Sequence, residues 1–394
     1  MHNSRSISIW PEELFESKGM IQAGFTMENP NGERVPLWYR VPERYRRYLT
    51  KGCEPFVLAS LFTAMRTKSD LVVHGEVSPI MLRNLEDFQA AWSLWRSDLY
   101  TRIDILADIE RDQISPDNSK AISSFSGGVD SCFAVWRHGH KKAGRKNQDV
   151  GAGLMIHGYD IPIGRRETFT HAASKAEILL SSLGMEMINM EINLKQLKEN
   201  FAHTGGTILA SCLMLLQGGF TTGLIAGGVS YSDIYIPWGT NPITDPLLSS
   251  GVFSIIYDSL DVPRHIKVRE IANWPEARQH LRVCLSEDRS KRDENCCKCE
   301  KCIRTILNFR ALGSDLPPCF AHDVSLTQIF NLIFQDVKFP KYYQAILEDA
   351  KKRKIKGAWL NIVRIMLFLN SIKLAVASVI LSRKTKGRGL IAGN

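Results

Sequence analysis

The start of this chain shows no secretory leader. Residues 1–20 carry Arg5, Glu12, Glu13, Glu16 and Lys18 and hold no continuous apolar core, so the expectation is a cytoplasmic protein. Internal repeats and low-complexity tracts are also missing, which excludes a solenoid or a linker protein. Acidic residues are absent from 351–394, a stretch with eleven Lys and Arg. The formal charge of +9 therefore belongs to the tail, because the remainder has 39 basic and 41 acidic residues. A body so close to neutral does not read as a nucleic-acid surface, and no specific nucleic-acid partner is evident. There is no Gly-x-x-x-x-Gly-Lys-Ser/Thr loop, as the common nucleotide hydrolases would need.

What is present suits a globular protein. Its 394 residues are 44% hydrophobic and 23% charged, enough for one large core or two smaller ones. Residues 1–115 read as an N-terminal α/β domain of unknown role. Phe56–Met65 and Ile80–Leu94 have helical periodicity, and Asp70–His74 and Tyr100–Ile105 look like strands. The polar, turn-rich stretch from Ile114 to Ser119 marks a boundary. Residues 116–315 then alternate. Strands are expected at Ala121–Phe125, Ala152–His157, Met185–Ile192 and Gly223–Gly227, with helices at Asp130–Arg137, Glu167–Leu183 and Thr207–Gln217. Such alternation implies an α/β fold with a parallel sheet, helices on both faces and a site beyond the strands' carboxyl ends. Residues 316–394 read as a helical, basic C-terminal region.

Ser126-Gly127-Gly128-Val129-Asp130-Ser131 lies between the first of these strands and a helix. Two glycines let the backbone turn sharply and approach a ligand, and the N–H groups of the helix start face an anion. The hydroxyls of Ser126 and Ser131 add donors, and Asp130 would hold Mg²⁺ or fix the loop. A plain strand–turn–helix corner is the bland alternative; the full six-residue string argues against it.

Five of the nine cysteines crowd between Cys284 and Cys302. Cys284, Cys296, Cys299 and Cys302 give C-x11-C-x2-C-x2-C, a spacing at which four thiolates close a tetrahedral, structural Zn²⁺ site. An iron–sulfur cluster is disfavoured, because the fourth ferredoxin position is Ile306. Cys297 is able to replace Cys296 in this reading, and Cys319 to replace Cys284.

Together these strings resemble the PP-loop, or N-type ATP pyrophosphatase, superfamily, and within it the 7-cyano-7-deazaguanine synthase family QueC. The likeness covers roughly Ala121 to Leu312. It implies a Rossmann-like, adenine nucleotide α-hydrolase-like domain that uses Mg-ATP and forms an adenylated intermediate. Ser126, Gly127, Gly128 and Ser131 would hold the leaving pyrophosphate with the Val129 backbone, Asp130 would bind Mg²⁺, and Lys267 would neutralise charge. Gly205 and Thr207, in Gly205-Gly206-Thr207 at an expected helix start, would support the nucleotide. Asp233 would face the substrate. The activity implied is an ATP-dependent ligase that adenylates an acid-bearing substrate, such as a 7-deazaguanine, for transfer to ammonia or an amine. It is an AMP- and pyrophosphate-forming reaction. A PP-loop tRNA-modifying enzyme and a nucleotide-binding regulatory protein are the alternatives. The long N- and C-terminal regions depart from QueC, as do His157–Pro162 and the stretch from Tyr235 to Pro242. The resemblance also reaches long QueC-like proteins encoded near polysaccharide or anti-phage genes, for which a deazaguanine substrate does not follow.

His157 and Asp160 follow a strand's carboxyl end and are substrate candidates on that ground. Trp238 would either stack on a flat substrate or fill a core. Cys132 reads as buried. Near the end, Trp359–Leu381 reads as a very apolar helix with a polar stripe at Asn361, Arg364, Ser371 and Ser378. Docking on the body or on a second subunit, as in a homodimer, and contact with a membrane surface are the alternatives for it, which would make the protein peripheral. Arg364 and Lys373 make it a poor spanning helix.

Overall fold

The computed structural model describes residues 5–234, 236–284, 293–334 and 339–389, without the side chains of Asp233 and of residues 374–389. Its strands are β1 (Ser6–Pro11), β2 (Phe15–Ser17), β3 (Met20–Glu28), β4 (Arg34–Pro42), β5 (Asp70–Val77), β6 (Ile105–Glu110), β7 (Ala121–Ser124), β8 (Val150–His157), β9 (Glu186–Ile192), β10 (Thr222–Ala226) and β11 (Ser254–Asp258). The helices are α1 (Glu54–Thr67), α2 (Pro79–Trp95), α3 (Val129–Gly139), α4 (Arg166–Ser181), α5 (Phe201–Met214), α6 (Arg264–Ile271), α7 (Pro275–His280), α8 (Glu300–Ala311), α9 (Leu326–Phe330), α10 (Phe339–Lys352) and α11 (Ala358–Gly389).

The strands form one mostly parallel sheet in the order β11-β10-β7-β8-β9-β4-β3-β1-β5-β6, with β2 on β3. The run from β11 to β9 is parallel throughout. Its strands are apolar on both faces, as a sheet covered by helices on both sides requires. Ile122, Ala152, Leu154 and Ile156 join a core with α1, α2 and α5. Ala121, Val150, Met155 and Leu224 point the other way, into a core with α3, α4, α6 and α8.

The region 1–115 shares this sheet rather than standing beside it. β4 pairs antiparallel with β9 through Tyr39↔Ile192 and Arg40↔Glu191, and one core runs from Ile7 to Ile255. Strands β1 to β4 escaped the sequence reading. The strand expected at Tyr100–Ile105 begins only at Ile105, because Tyr100 is buried and its hydroxyl meets His203 Nδ1 at 2.8 Å. The C-terminal helices complete the second core. Trp359, Val363 and Met366 on α11 are buried beside Tyr343 and Ile346 of α10, so one face of α11 docks on the body. Ile365, Phe368 and Ile372 on it are exposed. No described helix is long and apolar enough to cross a membrane.

Candidate functional site

β7 lies inside the sheet, paired with β10 on one side and β8 on the other. At its carboxyl end the chain turns through Ser126–Gly128 into α3. Gly127 takes φ +71°, the left-handed region that favours glycine. Gly128 is the residue before α3, and no side chain caps the helix there. The first-turn N–H groups are thus left for an anion. Ser131 braces the turn. Its hydroxyl donates to Gly128 O at 3.1 Å, accepts from Ser126 N at 3.3 Å and lies 3.3 Å from Ser126 Oγ. The side chain of Val129 is buried in the core.

The turn opens on a cavity of about 290 Å³. Apolar groups from β8 (Leu154, Met155, Ile156) and α5 (Phe201, Leu209) line one part of it, and charged groups line another: Asp130, Asp160, Arg264, Arg282 and Lys301. Arg282 clamps the turn. Its backbone N–H donates to Gly127 O at 2.7 Å, its Nε to Ser126 O at 2.9 Å, and its Nη2 to Asp160 Oδ2 at 2.6 Å. Asp130 accepts from Arg264 Nη1 on one oxygen and from Lys267 Nζ at 3.2 Å on the other. Burial alone would raise the Asp130 carboxyl; the charges of Arg264, Lys267 and Lys301 outweigh it and hold the group at about 2. Burial, and after it the Arg264 charge, draws Lys301 down to about 8.

The expected Mg²⁺ role of Asp130 does not fit this geometry. Both of its oxygens already meet cations, and Asp160 meets Arg282. Lys267 does not line the cavity. It is 1% exposed and sits behind Asp130, where it also donates to Gly227 O. Burial lowers its pKa, and Asp130 opposes the shift. Arg264, Arg282 and Lys301 were missed in the sequence. The available signals were Arg264 one helical turn before Lys267, and Arg282 and Lys301 beside the clustered cysteines.

Several expected site residues lie elsewhere. His157 is fully buried. Its Nε2 donates to Pro162 O at 3.0 Å, its ring stacks on Phe169, and its Nδ1 is 3.7 Å from Glu191. Gly205 and Thr207 are inside α5, not at its start, because the Asn200 side chain caps the helix by accepting from Ala202 N. Thr207 is buried and its hydroxyl bonds Thr204 O within the helix. The adjacent glycine permits a close approach: Gly206 N donates to Gly239 O at 2.9 Å. Trp238 belongs to that loop and is 41% exposed, so it does not fill a core, and its carbonyl accepts from Asn241 Nδ2. Asp233 ends a short 3-10 helix, Tyr231–Asp233, and its side chain lies outside the described residues. Cys132 is buried in α3, which pushes its thiol well up.

Beyond Arg282 the chain reaches the cysteines. The sulfurs of Cys284, Cys296, Cys299 and Cys302 all lie within 4.8 Å of one another. Cys284 and Cys299 are 3.9 Å apart, and Cys296 and Cys302 4.0 Å. Tetrahedral thiolate coordination at about 2.3 Å places sulfurs about 3.8 Å apart, so the group can hold a metal ion such as zinc. Asn295 fixes the approach, accepting from Val283 N and donating to Leu281 O and Cys319 O. Cys297 adopts φ +56° and turns its sulfur to Asn295 O. Neither it nor Cys319 is in the group. Compared with known protein families, curated proteins and solved structures, the chain matches none of them.

Proposed function

We propose that this chain is an ATP-dependent ligase of the PP-loop class, QueC-like, with a Rossmann-like nucleotide domain and a structural zinc. The observation that carries the reading is the Ser126–Ser131 turn. It sits at the carboxyl end of an interior parallel strand, has an uncapped helix behind it, and opens on a cavity walled by three cations. Such a place suits a polyphosphate. The apolar part of the cavity suits a flat ring and excludes water.

In this reading a substrate carboxylate oxygen attacks the α-phosphorus of ATP. The bond to the bridging oxygen breaks, and pyrophosphate leaves with that oxygen. Ammonia or an amine then attacks the acyl carbon, AMP departs and a proton is lost from nitrogen. The turn's N–H groups, Ser126 and the cations bind and orient the phosphates, and Ser131 keeps the turn in shape. Asp130 holds Arg264 and Lys267 in place. A 7-deazaguanine acid is the first substrate to test, and a homodimer is the expected assembly.

The zinc-loaded protein is incubated with Mg-ATP and 7-carboxy-7-deazaguanine, with and without ammonium, and AMP is followed. AMP that requires the deazaguanine supports both chemistry and substrate. AMP that appears only when cell extract is added keeps the chemistry and removes that substrate. Tight ATP binding with no AMP under any condition favours a nucleotide-binding protein instead.

A further inference from the structure

Three cations surround Asp130, which has two oxygens. Arg264 takes one and Lys267 the other. Lys301 remains. It lines the cavity, and among the described residues no carboxylate or hydrogen-bond acceptor pairs with its ammonium. Asp130 and Glu300 act on it only through space, and a partly buried ammonium with no directly bonded counter-ion is unfavourable unless a ligand supplies one. The position is built rather than incidental. Lys301 is in the first turn of α8, between Cys299 and Cys302, whose sulfurs gather with those of Cys284 and Cys296. Cys284 is two residues from Arg282, which clamps the phosphate turn. The turn and the lysine are thus both tied to one cysteine centre.

Resting on the ATP-using reading, we propose that Lys301 binds the pyrophosphate portion of the nucleotide and supplies the cation that Asp130 leaves uncompensated. A compact ammonium with three donors suits phosphate oxygens as a point charge. The expectation that gave this role to Lys267 is thereby moved to a residue that reaches the cavity.

The test is calorimetric titration of the zinc-loaded full chain with inorganic pyrophosphate and with ATP. Wild type is compared with Lys301→Met, Lys301→Gln and Lys301→Arg, each checked by thermal melting. Wild type is expected to bind both ligands. Loss of the charge weakens pyrophosphate binding on the order of tenfold or more, and Lys301→Arg recovers most of it. A purely packing role would instead lower the melting temperature and leave the affinity of the folded fraction unchanged. If wild type binds and either neutral variant, folded, binds as tightly, the Lys301 assignment falls and the nucleotide reading stands. If wild type binds neither ligand, the nucleotide reading falls and takes the assignment with it.

Discussion

At the scale of single residues, charge is placed where burial makes it consequential. Glu54 is 1% exposed at the start of α1, and only its Oε1 has a partner, Ser78 N at 3.2 Å. Burial pushes its carboxyl up to about 7. The folded state therefore binds this proton more tightly than the unfolded chain. The favourable contribution is full below about 4.5 and is lost as pH rises through about 7. Glu54→Gln removes the titration. Denaturant melts should show the variant more stable than wild type at pH 8, by up to about 3 kcal/mol, and nearly equal at pH 4.5. An equal effect at both pH values would contradict the account. Asp130 has the opposite sign. Held at about 2, it contributes stability above the ordinary carboxylate range and loses it as pH falls through about 2. Neither role was legible in the sequence, where Glu54 is an ordinary charge before a proline and Asp130 a motif letter. Their partners are remote along the chain.

At the scale of elements, the sequence was most readable where local periodicity and turn chemistry agree. Strands β7 to β10 and helices α1 to α4 lie within a few residues of expectation, whereas β11 was not expected, and the Ser126–Ser131 turn joins the strand and helix it was expected to join. The reading failed where a long-range contact decides. Gly205 and Gly206 were expected at a helix start, yet they lie inside α5, where the 237–245 loop lies against the helix. A Cβ on Gly206 would stand 2.1 Å from Gly239 O, whereas one on Gly228 meets nothing within 4 Å. Gly206→Ala should therefore cost about 2 kcal/mol or more, and Gly228→Ala should be near neutral. Thermal melts of the two variants check this; similar losses in both would refute the close-approach role. The cysteine group was legible from spacing alone. Choosing Cys296 over Cys297 was not, because that depends on the left-handed backbone at Cys297. Metal analysis should find about one zinc per chain in wild type and in Cys297→Ser, and a loss of most of it in Cys302→Ser. Retained zinc in Cys302→Ser would remove the site.

At the scale of the whole molecule, one sheet carries two halves with different patterns. The parallel half, between two helical layers, presents the carboxyl ends of β7 and β8 to the cavity. The mixed half, β4 to β6, extends it without contributing a residue to the cavity wall. This continuity was hidden in the sequence, because pairing of β4 with β9 joins residues some 150 positions apart. In the proposed reaction the cavity cleaves ATP between its α and β phosphates. The most direct measurement is to supply the zinc-loaded protein with ATP labelled at the α or the γ phosphorus, together with cell extract as a source of acid substrate. Products are then separated for wild type and for a Ser126→Ala/Asp130→Ala variant. The account predicts that wild type converts the α label to AMP and the γ label to pyrophosphate, and that the variant converts neither above the extract alone. Label appearing as ADP and inorganic phosphate, in amounts that depend on wild-type protein, would contradict it.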